Sequence, residues 1–187
     1  MGASSLGKWS DNLGLEKTIH LDEIPKIDLY MDQVIQLFES KFKDTVRNDK
    51  EKVLTKTMVN NYGKDKLFFP IDKKKYTREH VLLIAMIYHL KGALSIQDIK
   101  LTLGEANEKI MSGELGFEEI YATYLHIHEK QLEMFKKEVE EKEVFVRDCV
   151  KNLKDDDIYV EQLLMIASFV QMSTMYRKVA EKLIDEL

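Results

Sequence analysis

The chain has 187 residues, 44% of them hydrophobic and 33% charged, with a formal net charge of −5. That is enough for one substantial core or two small ones, and the charged fraction fits a soluble globular protein. The single cysteine, Cys149, excludes a disulfide framework and a cysteine-rich zinc site, so a reducing, cytoplasmic setting is expected. The net charge hides a polarity: Arg47 to Arg78 carries ten basic and four acidic residues, while Glu105 onward carries 11 basic and 19 acidic.

Residues 1–23, with glycines and no apolar period, read as a flexible N-terminal arm. This stretch lacks an apolar run of signal-peptide length, and Leu6 stands where a myristoylation pattern needs Ser or Thr. After Pro25, the apolar residues Leu29, Val34, Leu37, Phe38 and Phe42 recur at helical spacing, and "KDTVRNDKEK" follows as a polar loop. Thr55 is an N-cap for a helix over 55–65 whose apolar side is Leu54, Met58, Val59 and Tyr62. Pro70 then breaks the chain, and residues 71–76 are long enough only for a turn or a tiny hairpin. Thr77 caps "REHVLLIAMIYHLKG", apolar on nearly every face and therefore central to a core. Ser95 and Asp98 form a capping box for a short helix, "IQDIKLTLG".

The second half differs in kind. Phe117, Tyr121, Leu125, His128, Leu132, Phe135, Val139, Lys142, Val146 and Cys149 step by threes and fours along one helix about 50 Å long. This stripe is either a core-facing surface or a coiled-coil dimer seam. "DDD" at 155–157 opens the last helix, giving an antiparallel helical hairpin. Its segment 158–176 has Glu161 as its only charge, yet Gln162, Ser168, Gln171, Ser173 and Thr174 are spread around it. Each would need a partner in hydrocarbon, so the segment is expected in a core or a subunit interface, not in a membrane. Tyr121, Tyr124, Met165 and Phe169 are either core residues or the lining of a ligand pocket.

No enzymatic constellation emerges. "HEKQL" at 128–132 has Leu132 where a zinc-protease motif needs its second histidine, and His126 and His128 point about 200° apart on a helix. Glycines sit singly, without a phosphate loop, and no local signature positions a catalytic triad. Neither a catalytic residue, a metal nor a cofactor is expected. The basic stretch is more informative. Lys56, Asn60 and Lys64 lie four apart on the polar side of the 55–65 helix, beside Thr57 and Asn61, and Lys73, Lys74 and Lys75 follow in the turn. Such a face offers charge to phosphates and amides to base edges.

The order of features in "LTKTMVNNY...KLFFPIDKKKYTREHVLLIAMIYHLKGALSIQDIKLTL", residues 54–103, resembles the winged helix-turn-helix domain of the MerR regulators. The matching residues are Val59 and Tyr62 in the recognition helix, Leu67, Phe68 and Pro70 in the turn, Tyr76 and Thr77 at the wing exit, and Leu94, Ser95 and Ile99 in the last helix. Asn60 replaces that family's phosphate-contacting arginine, Asn61 one of its paired tyrosines, and Lys66 its turn glycine; the wing is several residues shorter. The whole chain also resembles a bacterial family of unknown function that carries such an N-terminal domain.

The resemblance implies a predominantly all-α protein: a MerR-like winged helix domain with a minimal wing at 24–104, and a helical dimerisation or effector region at 105–187. It implies a transcriptional regulator that is a homodimer through 117–187 and reads double-stranded DNA with helix 55–65 and a basic wing at 71–76. The DNA-binding residues would be Lys56, Thr57, Asn60, Asn61, Tyr62, Lys64, Lys73, Lys74, Lys75, Tyr76 and Arg78. The competing reading is a non-enzymatic protein-interaction module that keeps the fold without binding DNA.

Overall fold

The computed structural model describes residues 13–48, 50–151, 153 and 158–187. Among them it is mostly helical, with six α-helices and two strands of two residues each. Helix α1 (Met31–Phe42) turns Val34, Phe38 and Phe42 inward. Thr55 starts α2 (Lys56–Lys64) by accepting a hydrogen bond at 3.1 Å from the Met58 N–H, one of the donors that a helix start leaves open. Helix α3 (Arg78–Leu90) buries Val81, Leu82, Leu83, Ile84, Ala85 and Ile87, as a helix apolar all round must. The Phe42 ring stacks on Tyr88 at 4.5 Å and Phe38 meets the same ring edge-on at 5.9 Å, which pins α1 to α3.

Helix α4 (Ile96–Ser112) begins with the expected capping box: Ser95 Oγ accepts from the Asp98 N–H at 3.1 Å, and Asp98 Oδ2 accepts from the Ser95 N–H at 3.3 Å. It does not stop at Gly104, so residues 104 and 105, where the sequence suggests a boundary, lie inside a continuous helix. A mid-helix glycine costs about 1 kcal/mol, but buried Leu103 and Asn107 and half-buried Ala106 and Ile110 extend the inward stripe past it. The helix ends at Gly113, whose φ of 75° closes it in the left-handed region.

Strands β1 (Leu29–Tyr30) and β2 (Lys75–Tyr76) pair antiparallel, Leu29 opposite Tyr76 and Tyr30 opposite Lys75. Segment 71–76 is therefore more than a local turn: Asp72 bridges Lys75, and the outgoing strand joins the chain just ahead of α1.

The N-terminal arm needs correction beyond residue 12. Thr18, Ile19 and Ile24 are buried, and Leu21–Glu23 forms one 3-10 turn. Tyr121 Oη donates to the Ile19 carbonyl at 2.9 Å, and the Arg78 guanidinium donates to the Leu21 and Ile24 carbonyls, each at 2.6 Å. A segment without apolar period still docks where distant side chains satisfy its carbonyls.

Helix α5 (Phe117–Val150) and helix α6 (Ile158–Ile184) form the expected hairpin. Arg147 Nε donates to Glu161 at 2.8 Å near the loop, while Tyr176 meets Glu138 farther along, the reversed order of an antiparallel pair. The acidic run at 155–157 lies outside the described residues. The long stripe of α5 faces inward: Phe117 and Tyr121 enter the main core, Val139 and Val146 are buried, and Leu125, His128, Leu132 and Phe135 are half-buried. Of the two readings of that stripe, the core-facing one fits; only Cys149 at its end is exposed. Among the described residues no helix is long and apolar enough to cross a membrane.

Candidate nucleic-acid interface

Lysines 66, 73 and 74 have left-handed backbone, with φ of 60°, 46° and 60°, and among the described residues they are the only non-glycines with positive φ. Lys66 follows the C-cap of α2. Its N–H reaches the Gly63 carbonyl at 3.2 Å and the Leu67 N–H reaches the Tyr62 carbonyl at 2.9 Å, the paired closure that usually has glycine at this position. Lys73 and Lys74 occupy the centre of a tight turn closed by the Lys75 N–H on the Asp72 carbonyl at 2.8 Å. Positive φ at both central residues defines the mirror-image type I hairpin turn, for which Asn-Gly is the favoured pair.

Two buried side chains hold these turns. His80 Nδ1 accepts from the Thr77 N–H at 3.1 Å, so the ring proton sits on Nε2, which donates to the Phe69 carbonyl at 3.1 Å. Burial lowers its pKa and favours this neutral form. The ring lies 3.9 Å from Phe69 and edge-on to Phe68 and Tyr76, joining the turn after α2 to the exit of the basic hairpin. Asn107 Nδ2 donates to the Leu67 carbonyl at 3.0 Å and to Leu103 at 2.9 Å, tying the Lys66 turn to α4.

Eight of the eleven candidate residues reach the surface. Lys56, Thr57, Asn60, Asn61 and Lys64 are exposed along α2, Lys73 and Lys74 at the hairpin tip. Half-buried Lys75 sets its Nζ 5.8 Å over the Tyr30 ring. Lys56 pairs with Asp32 at 2.6 Å, but both groups are mostly exposed, so the pair is worth under about 1 kcal/mol and yields easily to a competing anion.

The other three are structural. Tyr62 is buried against the core, and burial raises its pKa. Tyr76 is also buried, with its hydroxyl on the Met31 sulfur at 3.5 Å. Arg78 is committed to Glu118 at 2.5 Å and to two backbone carbonyls. Helical periodicity signals the inward Tyr62, one turn after Met58, whereas the partners of Arg78 lie 40 to 57 residues away and carry no local signal.

Sequence reasoning misses the flank of the surface. Lys66, Gln97 and Lys100 join Asn60 and Lys64 around an open groove of about 940 Å³ between α2 and α4, which Val59, Phe68 and Tyr76 also line and to which α4 adds the carboxylates of Glu105 and Glu108. The spacing of Gln97 and Lys100, outside the Ile99 and Leu103 stripe, would have placed both on the outer side of α4. The suggested ligand pocket is not assembled: Tyr121 and Tyr124 belong to the main core, Met165 and Phe169 to a separate cluster. Among the described residues no three His, Cys, Asp or Glu side chains are grouped to hold a metal ion.

These features define a small helical domain with a two-stranded sheet and exposed lysines on α2 and the hairpin. The chain belongs to the family of the domain of unknown function DUF1836, which matches residues 19–124. Those bounds follow the main core, whose first buried residue is Ile19 and whose last contributors are Tyr121, Tyr124 and Leu125. Neither a curated protein nor a solved structure matches the chain.

Proposed function

We propose that this protein is a DNA-binding regulator whose domain is a MerR-like winged helix, with α2 as recognition helix and the 71–76 hairpin as a minimal wing. The carrying observation is the set of left-handed lysines at 66, 73 and 74. An L-residue pays about 1–2 kcal/mol for that conformation, and Gly or Asn would relieve it, so lysine there serves something other than folding. All three side chains are exposed, and Lys66 shares a groove with Asn60 and Lys64 of α2; cations of this kind grip phosphates while amides such as Asn60 and Asn61 meet base edges. The strongly acidic C-terminal half is repelled by DNA and helps to orient the basic surface. In a dimer, the two α2 helices would enter successive major grooves about 34 Å apart and read a pseudo-palindrome.

The test is selection of genomic fragments by the purified full chain, followed by titration across salt. Affinity should fall steeply with salt, and the Lys73, Lys74 and Lys75 to Ala triple variant should lower the log-log slope by up to about 2.7. Absence of salt-sensitive binding to any fragment refutes the reading.

A further inference from the structure

We infer that the groove between α2 and α4 binds a small aromatic anion, a flat ring that carries a carboxylate or sulfonate. Its volume of about 940 Å³ lies in the range of small-molecule sites, and each helix lines it with a glycine, Gly63 on α2 and Gly104 on α4. Gly104 has no local reason to be glycine. It sits inside α4, and a methyl group built on it would meet no atom within 4 Å. Alanine would fit and would strengthen the helix, whereas bare backbone lets a ring come close.

Two further costs fall on residues of the same groove. Lys66 holds its left-handed φ of 60°. Asn107 donates twice through Nδ2, yet its buried Oδ1 has no hydrogen-bond partner. Unrelieved strain and unpaired buried groups gather where a structure serves a ligand rather than its own folding.

The lining sets the chemistry of that ligand. Phe68, Phe69, Leu101 and Met111 give it apolar walls, and Leu101 and Met111 are 50% and 64% exposed, so a ring laid against them takes apolar surface out of water. Lys64, Lys66 and Lys100 stand against Glu105 and Glu108, but Glu105 is already held by Lys109 at 2.5 Å. The unbalanced charge of the lining is therefore positive and favours an anion. Asn60 and Lys64 also belong to the face proposed for DNA, so an occupied groove should weaken DNA binding. That consequence rests on the DNA reading; the site itself does not.

The probe is 1-anilinonaphthalene-8-sulfonate, titrated into the purified full chain and followed by its fluorescence, with 2-naphthoate as competitor. One saturable site with a Kd of about 10–100 μM is expected, displaced by the naphthoate. Gly104→Leu fills the groove with a better helix former, so it should keep the circular dichroism and urea midpoint while weakening the probe about 10-fold or more. Lys100→Gln, an exposed change that leaves the helix intact, should weaken it about threefold and flatten its salt dependence. A wild type that binds no probe overturns the inference, and so does binding undiminished in either variant. Probe binding without DNA binding would refute the DNA reading alone; DNA binding without probe binding would refute this site alone.

Discussion

The two ends of the chain treat their apolar side chains in opposite ways. From Ile19 to Tyr121 the buried residues form one continuous cluster around α3, closed by strands, turns and four other helices. In the hairpin beyond, Val146, Val150 and Met165 make a small cluster with Phe169 against it, while Leu163, Ile166, Val170 and Val179 remain exposed. The hairpin covers α6 on the sides that meet α5 and α4 and leaves its other apolar residues exposed. The first region closes its apolar residues into one core; the second keeps many of its own on the surface.

The sharpest way to break that contrast is to loosen the first region where its pieces are tied together. Arg78 joins the 21–24 segment, the start of α3 and Glu118 of α5 through three donors. Arg78→Ala strands those acceptors and should destabilise the chain by about 3 kcal/mol, read as a lower urea midpoint with unchanged slope. The salt slope of DNA binding by the still-folded variant should not move. A fall in that slope with no loss of stability would return Arg78 to the DNA surface.

Much of the first region was legible because its signals are local. Thr55, Thr77 and the Ser95–Asp98 pair each announced a helix start, the apolar periods of α1 and α2 named their buried faces, and the all-round apolarity of α3 marked it as central. What stayed hidden is non-local. Ile19 is held by a hydroxyl 102 residues away, and β1 and β2, two residues each, are too short to show a period. Gly104 read as a stop, yet packing at Leu103 and Asn107 carries the helix through it. At the basic surface the lysines of α2 and the hairpin were legible, but the left-handed backbone beneath three of them is a product of turn geometry.

A gentler probe is pH, acting where the two regions meet. His89, near the end of α3, lies edge-on to Phe42 and 6.2 Å from His128 of α5. Burial, and secondarily the charge of His128, lowers its pKa from 6.5 to about 4. In the window between these values the unfolded chain binds the proton that the folded one refuses. The stability is therefore fully present above pH 6.5 and is lost as pH falls towards 4, by about 3 kcal/mol. Urea unfolding across that range should show the loss, and His89→Phe should flatten it. An unchanged slope in the variant would mean that water already reaches this junction.

The smallest expected effect separates folding from function within the complete region. Lys73→Asn with Lys74→Gly gives the hairpin tip the pair that its backbone prefers and should raise stability by about 1 kcal/mol, measured as an increased urea midpoint. The same change removes two cations and should lower the log-log salt slope of DNA binding by up to about 1.8. Gain and loss must arrive together, because the reading holds that lysine stands there against the conformational preference of the turn. A stabilised variant that still binds DNA with an unaltered salt slope would leave the strain without a purpose and move the interface to α2 and the Lys66 and Lys100 groove. A variant that is destabilised would instead mean that the Lys73 and Lys74 side chains hold the hairpin, and the contrast between a self-sufficient core and its exposed lysines would have to be redrawn.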